Sequence, residues 1–294
     1  MKNLFLLNVS ESPECVLDQI NNIKKFVSEE EYIVVHISGS TKEQFIKDSQ
    51  EQGIDLFSME DQNVFVNPES IETKPGYFLV EAFLSSFEFA KDFDFDKVVL
   101  NASNQLYIRS GLKKHLAKYD AGVHSVKANG NFGMFSYQET GAAGSELKDK
   151  FMKKIFGEPR FRYWSFHEGS FYAKRYFTAM ASVIKQYNKD IAPDKLATSE
   201  EQTLPSLFNN AWPNANKTKS TVWMNLFCDL SEIEAIDLIR AGKYSEVQGA
   251  DMLPQCHQTP PHEYMLCGDF IFGIKRVPRE IDSDVRKYIR SLEV

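Results

Sequence analysis

Apolar residues in the first hundred positions come in short blocks separated by amphipathic stretches. Leu4–Val9 is apolar except for Asn8, and Tyr32–Ile37 is a second, β-branched block. Blocks this short, with no polar alternation, predict strands covered on both faces. Between them Ser12-Pro13-Glu14 supplies a capping hydroxyl, a proline at the first helical position and an acid in the first turn. Val16, Ile20, Ile23 and Val27 then recur at helical spacing. Thr41 to Ser49 predicts a second helix, and Val64–Val66 a strand ending at Asn67-Pro68. After Gly76, residues Leu79, Val80, Phe83, Leu84 and Phe87 share one helical face, and Lys97–Ser103 predicts the next strand.

The second half is less regular. Residues 121–144 are rich in Gly, Asn and Ser and predict loops with short strands. Residues 170–187 predict a helix, 188–198 a polar loop, and Ser199 caps a further helix with Glu200 and Glu201 in its first turn. Ser231 and Glu234 form a capping box. A last strand is expected over 270–274 and a final helix over 284–292. Alternating strands and helices imply an α/β fold, a mostly parallel sheet with helices on both faces. No repeat, low-complexity tract or long linker divides the chain, so one domain is expected. Ligands of such sheets sit beyond the carboxyl ends of the strands, which directs attention to His36-Ile37-Ser38, Asn67-Pro68 and Ala102-Ser103-Asn104.

Composition narrows the function classes. The chain has 294 residues, 43% hydrophobic and 26% charged, which excludes a disordered, collagenous or coiled-coil protein. A net charge of −7 gives no electrostatic reason to bind nucleic acid. No apolar run approaches the roughly 20 residues of a membrane-spanning helix, and the apolar stretch after Met1 lacks a small-residue cleavage site, so a cytoplasmic location is expected. Cys15, Cys228, Cys256 and Cys267 are scattered without metal-ligand or redox spacing and predict reduced thiols.

Several chemistries lack their residues. There is no G-x-G-x-x-G after the first strand, no phosphate-binding G-x-x-x-x-G-K, and no G-x-S-x-G. His257 and His262 with Cys256 and Cys267 match no standard zinc spacing. The D-x-D of Asp94 and Asp96 could hold a divalent cation. These acids precede the strand starting at Lys97, whereas a catalytic metal belongs at a strand's carboxyl end, and a solvated turn is the simpler reading.

Three segments, in order, resemble a known family. Residues 83–90 with 93–108 combine a helix, an acidic aromatic turn, a strand and the loop Ala102-Ser103-Asn104. His167-Glu168-Gly169-Ser170-Phe171-Tyr172 precedes Ser199-Glu200-Glu201-Gln202-Thr203-Leu204-Pro205. Asp269-Phe270-Ile271-Phe272-Gly273-Ile274-Lys275-Arg276 leads into the final helix. Together they are similar to the core-2/I-branching enzyme and xylosyltransferase type of GT-A glycosyltransferases. Asn104 stands where that family usually has Asp, Ser199-Glu200 replaces Pro-Asp, and Arg276 replaces an aromatic. The stretch from Trp212 to Leu266 does not align.

The resemblance implies a GT-A, Rossmann-like domain with a nucleotide-binding half over residues 1 to about 120 and a catalytic, acceptor-binding half over the remainder. It implies an inverting transfer from a UDP-sugar to a glycan or lipid-linked saccharide, of the kind used in bacterial polysaccharide assembly, with no metal or other cofactor. A lipid-linked acceptor would bring the enzyme to the inner membrane surface. An inverting transfer needs a base opposite the leaving group and positive charge on the departing diphosphate. Glu201 matches the family's catalytic glutamate and Lys275 its diphosphate lysine, with Arg276 and Arg279 assisting. His36, Ser38, Ser103 and Asn104 are expected at the donor, and Trp164, His167, Glu168 and Ser170 at the acceptor. The rival expectations are a metal-dependent enzyme built on Asp94 and Asp96, and a non-catalytic binding protein on the same fold.

Overall fold

The computed structural model describes residues 1–73, 79–123, 126–127, 150–158, 160, 163–165, 167–188, 200–224, 231–242 and 271–294. Strand β1 (Asn3–Val9) is followed by α1 (Pro13–Phe26), β2 (Tyr32–Ile37), α2 (Lys42–Gln52), β3 (Val64–Val66), α3 (Leu79–Ala90) and β4 (Lys97–Ala102). The Ser12 hydroxyl accepts from the Cys15 amide at the start of α1, as the Ser-Pro-Glu signature requires. After β4 come β5 (Gln105–Tyr107), α4 (Leu112–Lys118), β6 (Ala121–Gly122), β7 (Val126–Lys127), β8 (Tyr163–Trp164) and β9 (Phe171–Ala173). The helices Lys174–Asn188 and Glu200–Ala211 lead to β10 (Lys217–Thr218) and β11 (Val222–Met224). The helix Glu232–Arg240, β12 (Gly273–Lys275) and the helix Asp284–Ser291 complete the described chain.

The large sheet has the order β10-β6-β9-β4-β1-β2-β3. Strands β3, β2, β1 and β4 are parallel, and β9 runs antiparallel to both β4 and β6. Strands from both halves of the sequence therefore share one sheet. Along β1 the period of two is plain. Phe5, Leu7 and Val9 pack beneath α1 and the C-terminal helix, while Leu4 and Leu6 face α3 and the helices Lys174–Asn188 and Glu200–Ala211. All five are at most 2% exposed, and both faces of the strand are apolar because each has its own helical layer. No helix among the described residues is long and apolar enough to cross a membrane.

One element departs from the expected pattern. Residues 170–187 are not a single helix. Phe171–Ala173 is a strand, and the helix begins at Lys174. Phe171 and Tyr172 are buried on opposite sides of the sheet, and three alternating residues beside a long helical repeat leave too short a signal to read. The opposing Gly122 makes room for Phe171, since a Cβ there would lie 2.1 Å from the Phe171 ring. The expected strand over 270–274 is realised as Gly273–Lys275. A second sheet, β11-β12-β5, places β12 centrally, parallel to β11 and antiparallel to β5. The expected boundaries within 128–149 and 189–199, and Cys228, Cys256, His257, His262 and Cys267, lie outside the described residues.

Candidate active site

The chain leaves β1 toward β2 and β3 on one side and returns to β4 on the other, so the order reverses between β1 and β4. A crevice opens beyond the carboxyl ends of parallel strands at such a point. Here it is a cleft of about 540 Å³, walled by Asn8, Val9 and Ser10 at the end of β1 and by Asn101 to Asn104 at the end of β4. His167 and Thr73 contribute to the wall, and Lys275, Arg276 and Arg279 make one side cationic.

Buried polar groups of α1 position the β4 end. Gln19 donates to the Ala102 carbonyl at 2.6 Å, and Asn22 donates to the Tyr107 carbonyl and accepts from its amide. These bonds clamp the reversal that carries Ser103 and Asn104. The cationic side comes from the small sheet. Lys275 is the last residue of β12, paired with Gln105, and Arg276 follows with φ at 65°, a left-handed conformation costly for a residue with a Cβ. That turn brings the Val277 amide to the Asn104 carbonyl at 3.1 Å. The following residues are bolted to α1 and the last helix. The Cys15 thiol donates to the Arg279 carbonyl, and buried Arg286 joins the Pro278 carbonyl to Asp18. The Arg279 side chain stands 3.1 Å from buried Glu11.

The segment His167–Ser170 forms the wall behind Lys275. Gly169, with φ at 66°, donates to the Leu100 carbonyl at 2.8 Å, and the Ser220 hydroxyl donates to the Glu168 carbonyl. Lys275 Nζ donates to Glu168 Oε1, and His167 Nε2 lies 3.5 Å from the same oxygen. Burial alone would raise the Glu168 pKa, but His167 and the hydrogen-bonded Lys275 ammonium hold the carboxyl well below its ordinary value. Burial lowers the His167 pKa to about 4, against the pull of Glu168 and with Lys275 adding to the fall. His167 is therefore neutral at pH 7, and Lys275 is the cation that keeps Glu168 ionised. Burial also lowers the Arg276 pKa, opposed by Glu168, yet a guanidinium stays charged.

Ser103, Asn104, His167, Lys275 and Arg276 are brought together at the cleft. Other expected positions fall elsewhere. His36 and Ser38 lie at the correct strand end but point to the loop 71–73. His36 Nε2 accepts from the Ile71 amide at 3.0 Å, and the Ser38 hydroxyl bonds both the amide and the carbonyl of Thr73. Burial lowers the His36 pKa to about 4, so it is a neutral acceptor that shapes a loop of which Thr73 reaches the cleft. Glu168 is fully buried behind Lys275 and does not present a carboxylate to an acceptor. Ser170 is likewise buried, its backbone paired with Leu100 between β4 and β9. Trp164 lies in β8, and its side chain is outside the described residues. Glu201 occupies the first turn of the helix Glu200–Ala211, and its side chain is also outside them. Pro205 has no N–H for the Glu201 carbonyl, which thus lacks its usual helical partner.

Asp94 and Asp96 are exposed in the turn before β4, at its amino end, roughly 20 Å from the cleft by strand rise. The expected D-x-D pair thus lies at the opposite end of β4 from the cleft. Asn8 is a cleft residue outside the expected set. It is 7% exposed, its amide donates to the Leu79 carbonyl at 3.3 Å, and its Oδ1 has no hydrogen-bond partner among the described residues. The only signal for it in the sequence is a lone amide near the end of an apolar strand.

Gly169 sets the geometry of this wall. A Cβ there would lie 2.6 Å from both the Val222 amide nitrogen and a Val222 methyl, in a left-handed backbone. Gly169→Ala is expected to cost about 1–3 kcal/mol, read from urea unfolding. An unchanged midpoint would show that the wall relaxes freely.

No family model matches the chain, and no curated protein matches it. Among solved structures, it is similar to the galactosyltransferase LgtC in complex with donor and acceptor sugar analogs, at 10% identity and a TM-score of 0.41. It is also similar to an active-site mutant of LgtC, at 12% identity and a TM-score of 0.44; both matches cover 99% of this chain and 94% of the other. A third similarity is to 4-diphosphocytidyl-2C-methyl-D-erythritol synthase from Anaerococcus prevotii DSM 20548. It has 12% identity and a TM-score of 0.38, covering 74% of this chain and 87% of that one.

Proposed function

We propose that this chain is a glycosyltransferase of GT-A type that moves a sugar from a UDP-sugar to a saccharide acceptor, inverting the anomeric carbon without a metal. One observation carries the reading. Residues separated by more than 170 positions, Ser103 and Asn104 from one family-like segment and Lys275 and Arg276 from another, line a single cleft at the topological switch point.

In this reading the diphosphate lies against Lys275 and Arg276, with Arg279 adding charge. Guanidinium and ammonium groups form strong charge-assisted hydrogen bonds to phosphate and offset the negative charge that builds as the glycosidic bond breaks. Ser103 and Asn104 bond the ribose or the sugar. Glu201 takes the acceptor hydroxyl's proton as that oxygen attacks the anomeric carbon from the side opposite the leaving UDP. The acceptor is a glycan or a lipid-linked saccharide, and a lipid-linked one would bring the enzyme to a membrane surface from the cytoplasmic side.

Titration with UDP in the presence of EDTA tests the reading, followed by thermal shift with a panel of nucleotide sugars. UDP is expected to bind equally with and without chelator, and a bound donor raises the melting temperature by mass action. Binding that vanishes with EDTA, or no stabilisation by any nucleotide or nucleotide sugar, would sink it.

A further inference from the structure

Lys275 meets the cleft with only part of its side chain, and what holds that part in place is a carboxylate outside the cleft. Glu168 is fully buried and receives the ammonium on Oε1, while Lys275 is 16% exposed by side chain and lines the cleft. Both ends of the pair are fixed by backbone. Lys275 ends the central strand of the small sheet. The Glu168 turn is held by Gly169 on Leu100, by Ser220 on the Glu168 carbonyl, and by the Thr221 hydroxyl on the Gly169 carbonyl at 2.9 Å. The groups acting on Glu168 are His167, Lys275 and Arg276.

We infer that Glu168 is a positioning residue. It holds the Lys275 ammonium at the cleft wall so that the remaining N–H groups face the phosphates of a nucleoside diphosphate. This rests on the proposed reading of the cleft as a diphosphate site. A lysine on a four-carbon stem loses much rotamer freedom when it is ordered by a ligand. Glu168 makes that loss before the ligand arrives, and preorganisation of this kind strengthens binding without adding a contact. The second oxygen of Glu168 is buried with no hydrogen-bond partner among the described residues. A buried carboxylate with one oxygen left half-satisfied is a poor stabiliser, which fits a role in directing the lysine.

The test is calorimetric titration of UDP, and of inorganic pyrophosphate, into the parent, Glu168→Gln, Glu168→Ala, Lys275→Ala and the two double variants. Thermal melts confirm folding. Glu168→Ala is expected to weaken UDP binding about tenfold through the freed lysine. Glu168→Gln keeps an acceptor for the ammonium and is expected to weaken it roughly threefold. In the Lys275→Ala background neither change has a further effect, since coupled residues are non-additive. Should Glu168→Ala fail to fold, the isosteric Glu168→Gln pair carries the same comparison. Equal or tighter binding in the Glu168 variants overturns the inference, because Glu168 would then only compete for the lysine. Equal losses with and without Lys275 also overturn it, because the role would be structural. A parent that binds neither UDP nor pyrophosphate removes the diphosphate reading itself, a result distinct from both.

Discussion

Glu201→Gln is expected to lower sugar transfer about a hundred- to ten-thousandfold, the usual contribution of a positioned general base, while UDP affinity stays at the parental value. The substitution preserves shape and removes only basicity. The split between turnover and binding follows from the roles assigned. Under the proposed function the base acts on the acceptor hydroxyl, and the diphosphate lies against the cationic side of the cleft. The Glu201 backbone lies in the first turn of a helix whose next turns are anchored. Leu204, Leu207 and Phe208 are buried against Phe177, and the Ser206 hydroxyl accepts from the Tyr163 amide at 2.8 Å. Steady-state transfer assays beside UDP titrations decide it. Parental turnover in the variant would remove Glu201 from the chemistry, and a parallel loss of UDP binding would make it a binding residue.

Lys275→Met is expected to have the largest combined effect, weakening UDP binding about ten- to a hundredfold and destabilising the fold by about 3–5 kcal/mol at pH 7. The second effect arises because the variant keeps Glu168 buried and deprives its charge of the partner. The pH dependence has a definite sign. In the parent, the Glu168 carboxyl is held below its ordinary value of 4.5, so its stabilising contribution is present above that pH and lost as pH falls through the depressed folded value. In the variant, burial pushes the carboxyl up, so the folded state suffers most above pH 4.5 and recovers as the group takes a proton. The stability gap between parent and variant is therefore widest near neutrality and narrows in acid. Denaturant unfolding of both proteins at pH 7 and near pH 4 measures it. A gap of constant size would mean that Glu168 is not the group left uncompensated.

Different parts of the molecule were legible in the sequence to different degrees. β1, β2 and β4 were readable because helices cover both faces of the sheet and most positions are therefore apolar. β9 was not, because three alternating residues are too few beside the helix that follows them. Ser103, Asn104, Lys275 and Arg276 could be placed in one site from their positions at strand ends and from family resemblance. His36 and Ser38 sit at an equally suitable strand end, yet their hydrogen bonds go to residues 71–73, a direction that strand position alone does not specify.

The amino-acid sequence by itself determined the alternation of strand and helix, the parallel character of the main sheet and the end of it where ligands belong, since these follow from local periodicity, caps and the twofold burial of each strand. Only the tertiary structure decided which polar side chains face the cleft and which are partners behind it. Glu168 and Lys275 are 107 residues apart, and they meet through β12, the central strand of the small sheet between β11 and β5. The physical reason is that a buried charge takes its meaning from its counter-charge, and that partner is chosen by long-range packing rather than by neighbours along the chain.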